Sequence, residues 1–417
     1  MIKHLVPSKF GFYKLFNLGL RVAPLSVKFL FFAVLSKVLS PEIYGSYTLI
    51  TTTITISIFV LGLDFYNYSI REILMNGQNT VSKVFSTFLL YIVVYIIAMS
   101  CVAVYYHFSD GMGMSLKVTL TILLICITEH FCQEAYRLQI AFKKVLTANL
   151  IFFFRVFLWM SYLTIEILFF NKNLVLETIL NYWLIFNLVA VGLNVVTAVR
   201  PAINNKGSLK LSIAFIKRGI VVCSLFFLGT LSLKSIEYLN RYIVDLFLGK
   251  EITGVFSFYS NLALVITVYI NAIVISFELP LLIEKGNTSN FSKYFKIFKN
   301  SFLKQIVIII VLLLIAIAPI LYWQDIPLYK DYLYIFFILL ISTAIINYSL
   351  VYHFYLYIKK KDRTILWLTI KSGFFNLVTT LILTYYFGVA GTCVAFLLTS
   401  ICIIYLRKSS CKKVGYE

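Results

Sequence analysis

The sequence predicts an all-α polytopic membrane protein, with twelve transmembrane helices in two pseudo-symmetric six-helix bundles around a central cationic cavity. Three observations carry this expectation. Hydrophobic residues make up 61% of the 417 residues, against about 45–50% in a soluble globular chain. Long, nearly uncharged runs tile the whole chain, and about 20 such residues cross a bilayer as a helix. Finally, one turn is written twice. VLSPEIYGSYTL (38–49) and FLGKEITGVFSF (247–258) agree at Leu39/Leu248, Glu42/Glu251, Ile43/Ile252 and Gly45/Gly254, half a chain apart. A transmembrane barrel is excluded, because the runs are continuous rather than alternating.

The runs place spans at approximately 12–39, 45–69, 84–106, 116–137, 146–170, 175–199, 219–248, 252–283, 304–323, 331–358, 364–386 and 388–406. Spans 1–6 form an N-terminal bundle, 1–206, and spans 7–12 a C-terminal bundle, 207–417. The repeated turn then joins spans 1 and 2 in one half and spans 7 and 8 in the other. Its Gly lets the following helix start close to its neighbour.

An even span number puts both termini on one side, and the basic residues say which. Twenty-six Lys and Arg fall at the termini and in the loops 70–83, 137–145, 200–218, 284–304 and 359–363. The other side carries Lys37, Lys117, Lys172, Lys250 and Lys330. This bias makes both termini cytoplasmic in a multi-pass membrane protein. The first span lacks the short apolar core and small-residue cleavage site of a signal peptide.

The net charge of +20 is largely this bias, so the partner is the lipid bilayer and not nucleic acid. No connection is long enough for a soluble domain. The seven cysteines lack CxxC or metal-like spacing and read as small apolar packers. No cofactor is implied.

Six cations remain inside the spans: Arg21 and Lys28 in span 1, Arg155 in span 5, Lys234 and Arg241 in span 7, and Lys371 in span 11. A central cation facing lipid costs about 2.5–3.5 kcal/mol on insertion scales, so these should face protein or a water-filled cavity. Spans 1 and 7 are equivalent in the two halves, as are spans 5 and 11. Arg21/Lys28 and Lys234/Arg241 are each seven apart, which puts both members on one helix face. Two bundles with such cations at a shared interface would form a substrate-binding cavity, a transporter architecture. Snorkelling to the interface is the plainer reading, strongest for Arg21, Arg241 and Lys371. An ion-pair ladder over Lys234, Glu237, Arg241 and Asp245 is another.

Acids within spans are candidates for coupling to H+ or Na+: Asp64, Glu129, Glu166, Glu237 and Glu278. Glu134 and Glu177 lie at similar depth. Charge balancing of nearby Arg and Lys is the alternative. Glu129 and His130 are adjacent, so they point about 100° apart and do not form a proton pair. Pro24 lies between Arg21 and Lys28 and bends its span. With Gly45 and Gly254 it is a candidate hinge. Pro280 could bend span 8.

The stretches LSKVLSPEIYGSYTL and GLDFYNYSIREI resemble the start of Wzx-type O-antigen and capsular polysaccharide flippases. LNRYIVDLFLGKEITGVFSFYSNL resembles their seventh-span motif, and KSGFFNLVTTLILTYYFGVAGTCVAF their eleventh span with its FG-x-x-G turn. The likeness runs over essentially the whole chain. It departs where an acid often precedes the seventh-span Arg, since here that residue is Asn240.

The resemblance implies the two-bundle fold shared with multidrug exporters and lipid II flippases. It implies a transporter that moves an undecaprenyl-diphosphate-linked oligosaccharide from the cytoplasmic to the periplasmic leaflet. A polysaccharide polymerase and a chain-length regulator would be partners. A cationic cavity suits a diphosphate or acidic sugars. Three other readings stand beside it: an ion-coupled multidrug exporter of the same fold, an O-antigen polymerase or membrane glycosyltransferase, and a scaffold protein.

Overall fold

The computed structural model describes residues 9–75, 79–108, 115–170, 175–199, 209–284, 286 and 291–415. Parts of the basic connections, including 200–208 and 287–290, lie outside them, as does Lys3. Within the described residues the chain is almost wholly helical, and all twelve spans are there. Spans 1–6 are Lys9–Val38, Pro41–Gly62, Thr80–Phe108, Leu116–Ala141, Val145–Phe170 and Leu176–Val199. Span 9 is Phe291–Gln324 and span 10 Leu333–Ile358.

Spans 7 and 8 run on without a loop through Ile213–Glu284, and spans 11 and 12 through Asp362–Lys412. A single glycine divides each run. Gly249 stands at φ 79°, ψ 177° and Gly388 at φ 60°, ψ −145°, conformations open to residues without a Cβ. Gly249 is the repeat partner of Ser40, where spans 1 and 2 part.

The second span ends earlier than the apolar run suggests. Leu63 (φ 49°) and Asp64 (φ 51°) are both left-handed, which stops the helix at Gly62. A short helix, Tyr66–Met75, follows.

Helix ends follow local chemistry. Ser40 Oγ accepts from the Ile43 N–H at 3.3 Å, capping span 2 with Pro41 in its first turn. Spans 4 and 10, equivalent in the two halves, end alike. Lys143 (φ 61°) and Lys360 (φ 55°) turn left-handed. Lys144 N–H then bonds Gln139 O at 2.8 Å, and Lys361 N–H bonds Leu356 O at 3.0 Å, the Schellman closure.

The chain packs as two compact units. The first comprises Met1–Val38 and Ile50–Phe227, the second Leu39–Leu49 and Leu228–Glu417. In the first, Phe65, Tyr68 and Tyr91 pack with Phe215 and Cys223 from the first half of span 7. Gly219 fits there because a Cβ would overlap the rings of Phe65 and Tyr68.

In the second unit, span 9 buries Phe291, Phe295, Phe298, Phe302, Ile306, Ile309 and Leu313, one stripe at three- and four-residue spacing. The start of span 2 also belongs to this unit. A Cβ on Gly45 would overlap the Lys250 carbonyl oxygen, and one on Gly254 would overlap the Pro41 carbonyl oxygen. Pro41 and Lys250 occupy equivalent places in the repeat, so the contact is reciprocal. The repeated turn therefore marks a place where the two repeated helices touch backbone to backbone.

Candidate functional site

The six cations divide three and three between the units and lie at graded depth. In the first unit Arg21 is exposed, Lys28 is half-buried and Arg155 is buried. In the second, Lys371 is exposed, Lys234 is half-buried and Arg241 is buried.

Arg155 sits where spans 4, 5 and 6 meet. Its Nη1 donates to Glu129 Oε2 at 2.8 Å, and Trp183 Nε1 donates to the other oxygen, Oε1, at 2.7 Å. Both carboxylate oxygens are thereby satisfied. Trp183 stacks on Trp159, centroids 5.8 Å apart, which seals the pair in apolar surroundings. His130 turns the other way, to Tyr95 Oη at 2.6 Å. The adjacent residues diverge as helix geometry requires. Lys28 Nζ lies 5.7 Å from the Phe32 ring centre. Pro24, inside span 1, is buried.

A second buried polar cluster, built on Glu134, adjoins these groups. It accepts from Tyr91 Oη at 2.9 Å and from the Arg137 guanidinium. Arg137 in turn lies over the Tyr66 ring at 3.5 Å. Asp64 is 2% exposed, and its Oδ2 has no hydrogen-bond partner among the described residues. It lies in the turn after span 2 rather than within a span.

In the second unit Lys234 and Arg241 both lie against the Tyr238 ring, at 5.4 and 6.0 Å from its centre. A π-helical turn, Ser235–Leu239, lies between them and adds a residue to that turn. Lys234 stays at the half-buried surface with Glu237, Nζ to Oε2 2.6 Å. Arg241 is buried, and its Nη2 donates to Asn261 Oδ1 at 2.7 Å. Asn261 Nδ2 continues to Tyr44 Oη at 3.2 Å.

The remaining acids are peripheral. Glu166 accepts from Tyr162 Oη at 2.5 Å on an exposed face, and Glu278 accepts from Ser301 Oγ at 2.5 Å. Glu177 forms an exposed pair with Lys117 at 3.2 Å.

Two features escape sequence reasoning. Asn240 is an interior junction: its Oδ1 accepts from Asn376 Nδ2 at 3.2 Å and Thr380 Oγ1 at 3.3 Å. Thr399 Oγ1 bonds Asn376 Oδ1 at 3.2 Å. The position that often bears an acid in the resembled family thus holds an uncharged amide–hydroxyl cluster. The second is Arg407. It follows the last apolar run and reads as a terminal charge, yet it is 8% exposed and donates to Ser349 Oγ at 2.7 Å. Only the continuation of span 12 to Lys412 explains this.

No protein-family model and no curated protein matches the chain. Solved structures do. A multidrug resistance MATE family transporter of the MOP superfamily, inward-facing, superposes with TM-score 0.70 at 11% identity, covering 95% of this chain and 99% of that one. A MATE protein in its straight conformation gives 0.64 at 12%, covering 95% of each. A MOP superfamily transporter from Pyrococcus furiosus, whose binding pocket is described as reversed in polarity, gives 0.61 at 10%, covering 95% of this chain and 94% of that one. The fold is therefore the twelve-helix pseudo-symmetric fold of the MATE transporters.

Proposed function

We propose that the protein is a flippase. It carries a lipid-linked oligosaccharide, of the undecaprenyl-diphosphate type, from the cytoplasmic to the periplasmic leaflet by alternating access. The supporting observation is the graded placement of three cations in each unit. Exposed Arg21 and Lys371 make first contact with phosphate or acidic sugar, Lys28 and Arg241 extend the positive field inward, and Arg155 and Lys234, paired with Glu129 and Glu237 in this structure, join them when the substrate displaces those acids. Charge-assisted bonds of this kind are about twice as strong as neutral ones.

A proton or sodium ion supplies the drive, and Asp64, buried with an unsatisfied oxygen, is the acid best suited to bind it. Glu129, Glu166, Glu237 and Glu278 are the other candidates. Pro24, Gly45 and Gly254 serve as pivots. The protein works in the bacterial inner membrane with both termini cytoplasmic, beside a polymerase and a chain-length regulator.

The second reading is ion-coupled multidrug export, favoured by the likeness in fold to a multidrug resistance transporter. A deletion strain complemented with wild type, Arg21→Ala, Lys28→Ala or Lys371→Ala separates the two. Flippase function predicts lost surface polymer in the deletion, repeats trapped in the cytoplasmic leaflet, and weakened rescue by the variants. Unchanged polymer with altered drug sensitivity would replace it with export.

A further inference from the structure

The second unit encloses a cavity of about 270 Å³. None of the six singled-out cations lines it. Its wall comes from spans 7, 8, 10, 11 and 12, all within one unit.

The lining has an unusual balance. Phe256 and Phe396 supply a broad apolar face, while Asn347, Thr369 and Ser372 are among the groups that supply amide and hydroxyl edges. The two ionised groups on the wall, Glu237 and Arg407, have opposite signs.

Asn347 is the most telling residue. It is 1% exposed. Its Nδ2 donates to the Thr343 carbonyl at 2.8 Å and to Thr267 Oγ1 at 2.9 Å. A backbone carbonyl can only accept, which fixes which end of the amide is nitrogen. The other end, Oδ1, is buried with no partner among the described residues. Leaving a buried acceptor unsatisfied is costly, so this site calls for a ligand that donates a hydrogen bond. Arg407 brings five N–H groups, one of them given to Ser349, and can donate to a ligand oxygen. Glu237 can accept.

We infer that this cavity binds one uncharged sugar ring of the transported substrate. A pyranose donates and accepts through its hydroxyls, carries no charge, and presents an apolar C–H face suited to Phe256 and Phe396. The sugar class rests on the flippase reading. The cavity and its free acceptor do not.

The test uses the full-length protein in lipid nanodiscs and saturation-transfer NMR with glucose, galactose and N-acetylglucosamine as probes. Glycerol and tetraphenylphosphonium are the comparison ligands. Asn347→Leu removes the acceptor at similar volume, and Ser260→Phe fills the cavity. Thermal melting of each variant reports folding. We expect transfer to at least one hexose, weakened roughly tenfold by Asn347→Leu, as loss of about one hydrogen bond requires. Ser260→Phe should abolish it while leaving a cooperative melt.

No transfer to any hexose, or transfer unchanged in both variants, overturns the inference. Preferential transfer to tetraphenylphosphonium, lost in the same variants, also overturns it. Should hexose bind here while the deletion strain keeps its surface polymer, the sugar site stands and the flippase reading falls. Lost polymer with no hexose binding leaves the flippase and removes this site.

Discussion

Thr48 Oγ1 lies 3.0 Å from Ser257 Oγ, and the two residues are 209 apart in the chain. That separation is the offset of the repeated turn, so each hydroxyl meets its own counterpart. Gly45 and Gly254, one turn earlier in each helix, are related by the same offset and approach each other's helices reciprocally. Such self-pairing arises where two copies of an element meet about a local two-fold axis. The contact is small and polar because both helices must come within backbone range, which larger side chains at 45 and 254 would prevent.

Replacing Gly45 or Gly254 by alanine should be among the most damaging single methyl additions in this protein. The new Cβ would overlap a backbone carbonyl, which cannot rotate away. Overpacking costs about 1–3 kcal/mol, and here it requires the helices to separate. Gly19→Ala is the control, since nothing stands within 4 Å of its added Cβ. Melting temperatures in matched nanodiscs should fall for Gly45→Ala and Gly254→Ala and hold for Gly19→Ala. Equal melting of all three would refute the close approach.

Gly249→Ala tests a different cost. Nothing lies within 4 Å of an added Cβ there, so sterics with neighbours are absent. The penalty is conformational, because φ 79° with ψ 177° belongs to glycine and costs other residues about 1–3 kcal/mol. Asparagine, which tolerates the ordinary left-handed region, should fail to rescue it, because ψ lies far from that region. Comparable melting of Gly249→Asn and wild type would show that the span 7–8 junction takes another conformation.

The span count was legible because apolar runs of bilayer length leave few alternatives, and Gly249 and Gly388 sit at or beside the expected junctions. The turn at Leu63–Asp64 was not legible, because it interrupts VLGLDFYNY without proline or a polar cluster. The π turn at 235–239 was hidden for a deeper reason. A helix ordinarily keeps 3.6 residues per turn, and no residue type announces an inserted one. Arg407 was misplaced because the hydropathy stops at Leu406, whereas the helix continues and tucks the guanidinium against span 10. The Glu129–Arg155 pairing needed three helices in place, although the divergence of Glu129 and His130 followed from helix geometry alone.

The Glu129–Arg155 pair yields the sharpest energetic contrast. The two side chains are 10% and 6% exposed, so Glu129→Gln leaves a guanidinium charge without its counter-charge in an apolar setting. Removing one partner of a buried pair costs about 3–5 kcal/mol. The Lys234–Glu237 pair is more exposed, at 18% and 30%, and Glu237→Gln should cost under about 1 kcal/mol after solvent screening. The double change Glu129→Gln with Arg155→Met removes both charges while the amide oxygen still accepts from Trp183. It should recover most of the stability lost by Glu129→Gln, which a denaturation series in mild detergent can measure as a coupling energy. Stability restored without surface polymer would assign Arg155 a contact with the substrate beyond its partner. Stability and polymer restored together would make the pair a structural clamp joining spans 4, 5 and 6. A double variant no more stable than Glu129→Gln would show that the two charges are not coupled in the folded protein.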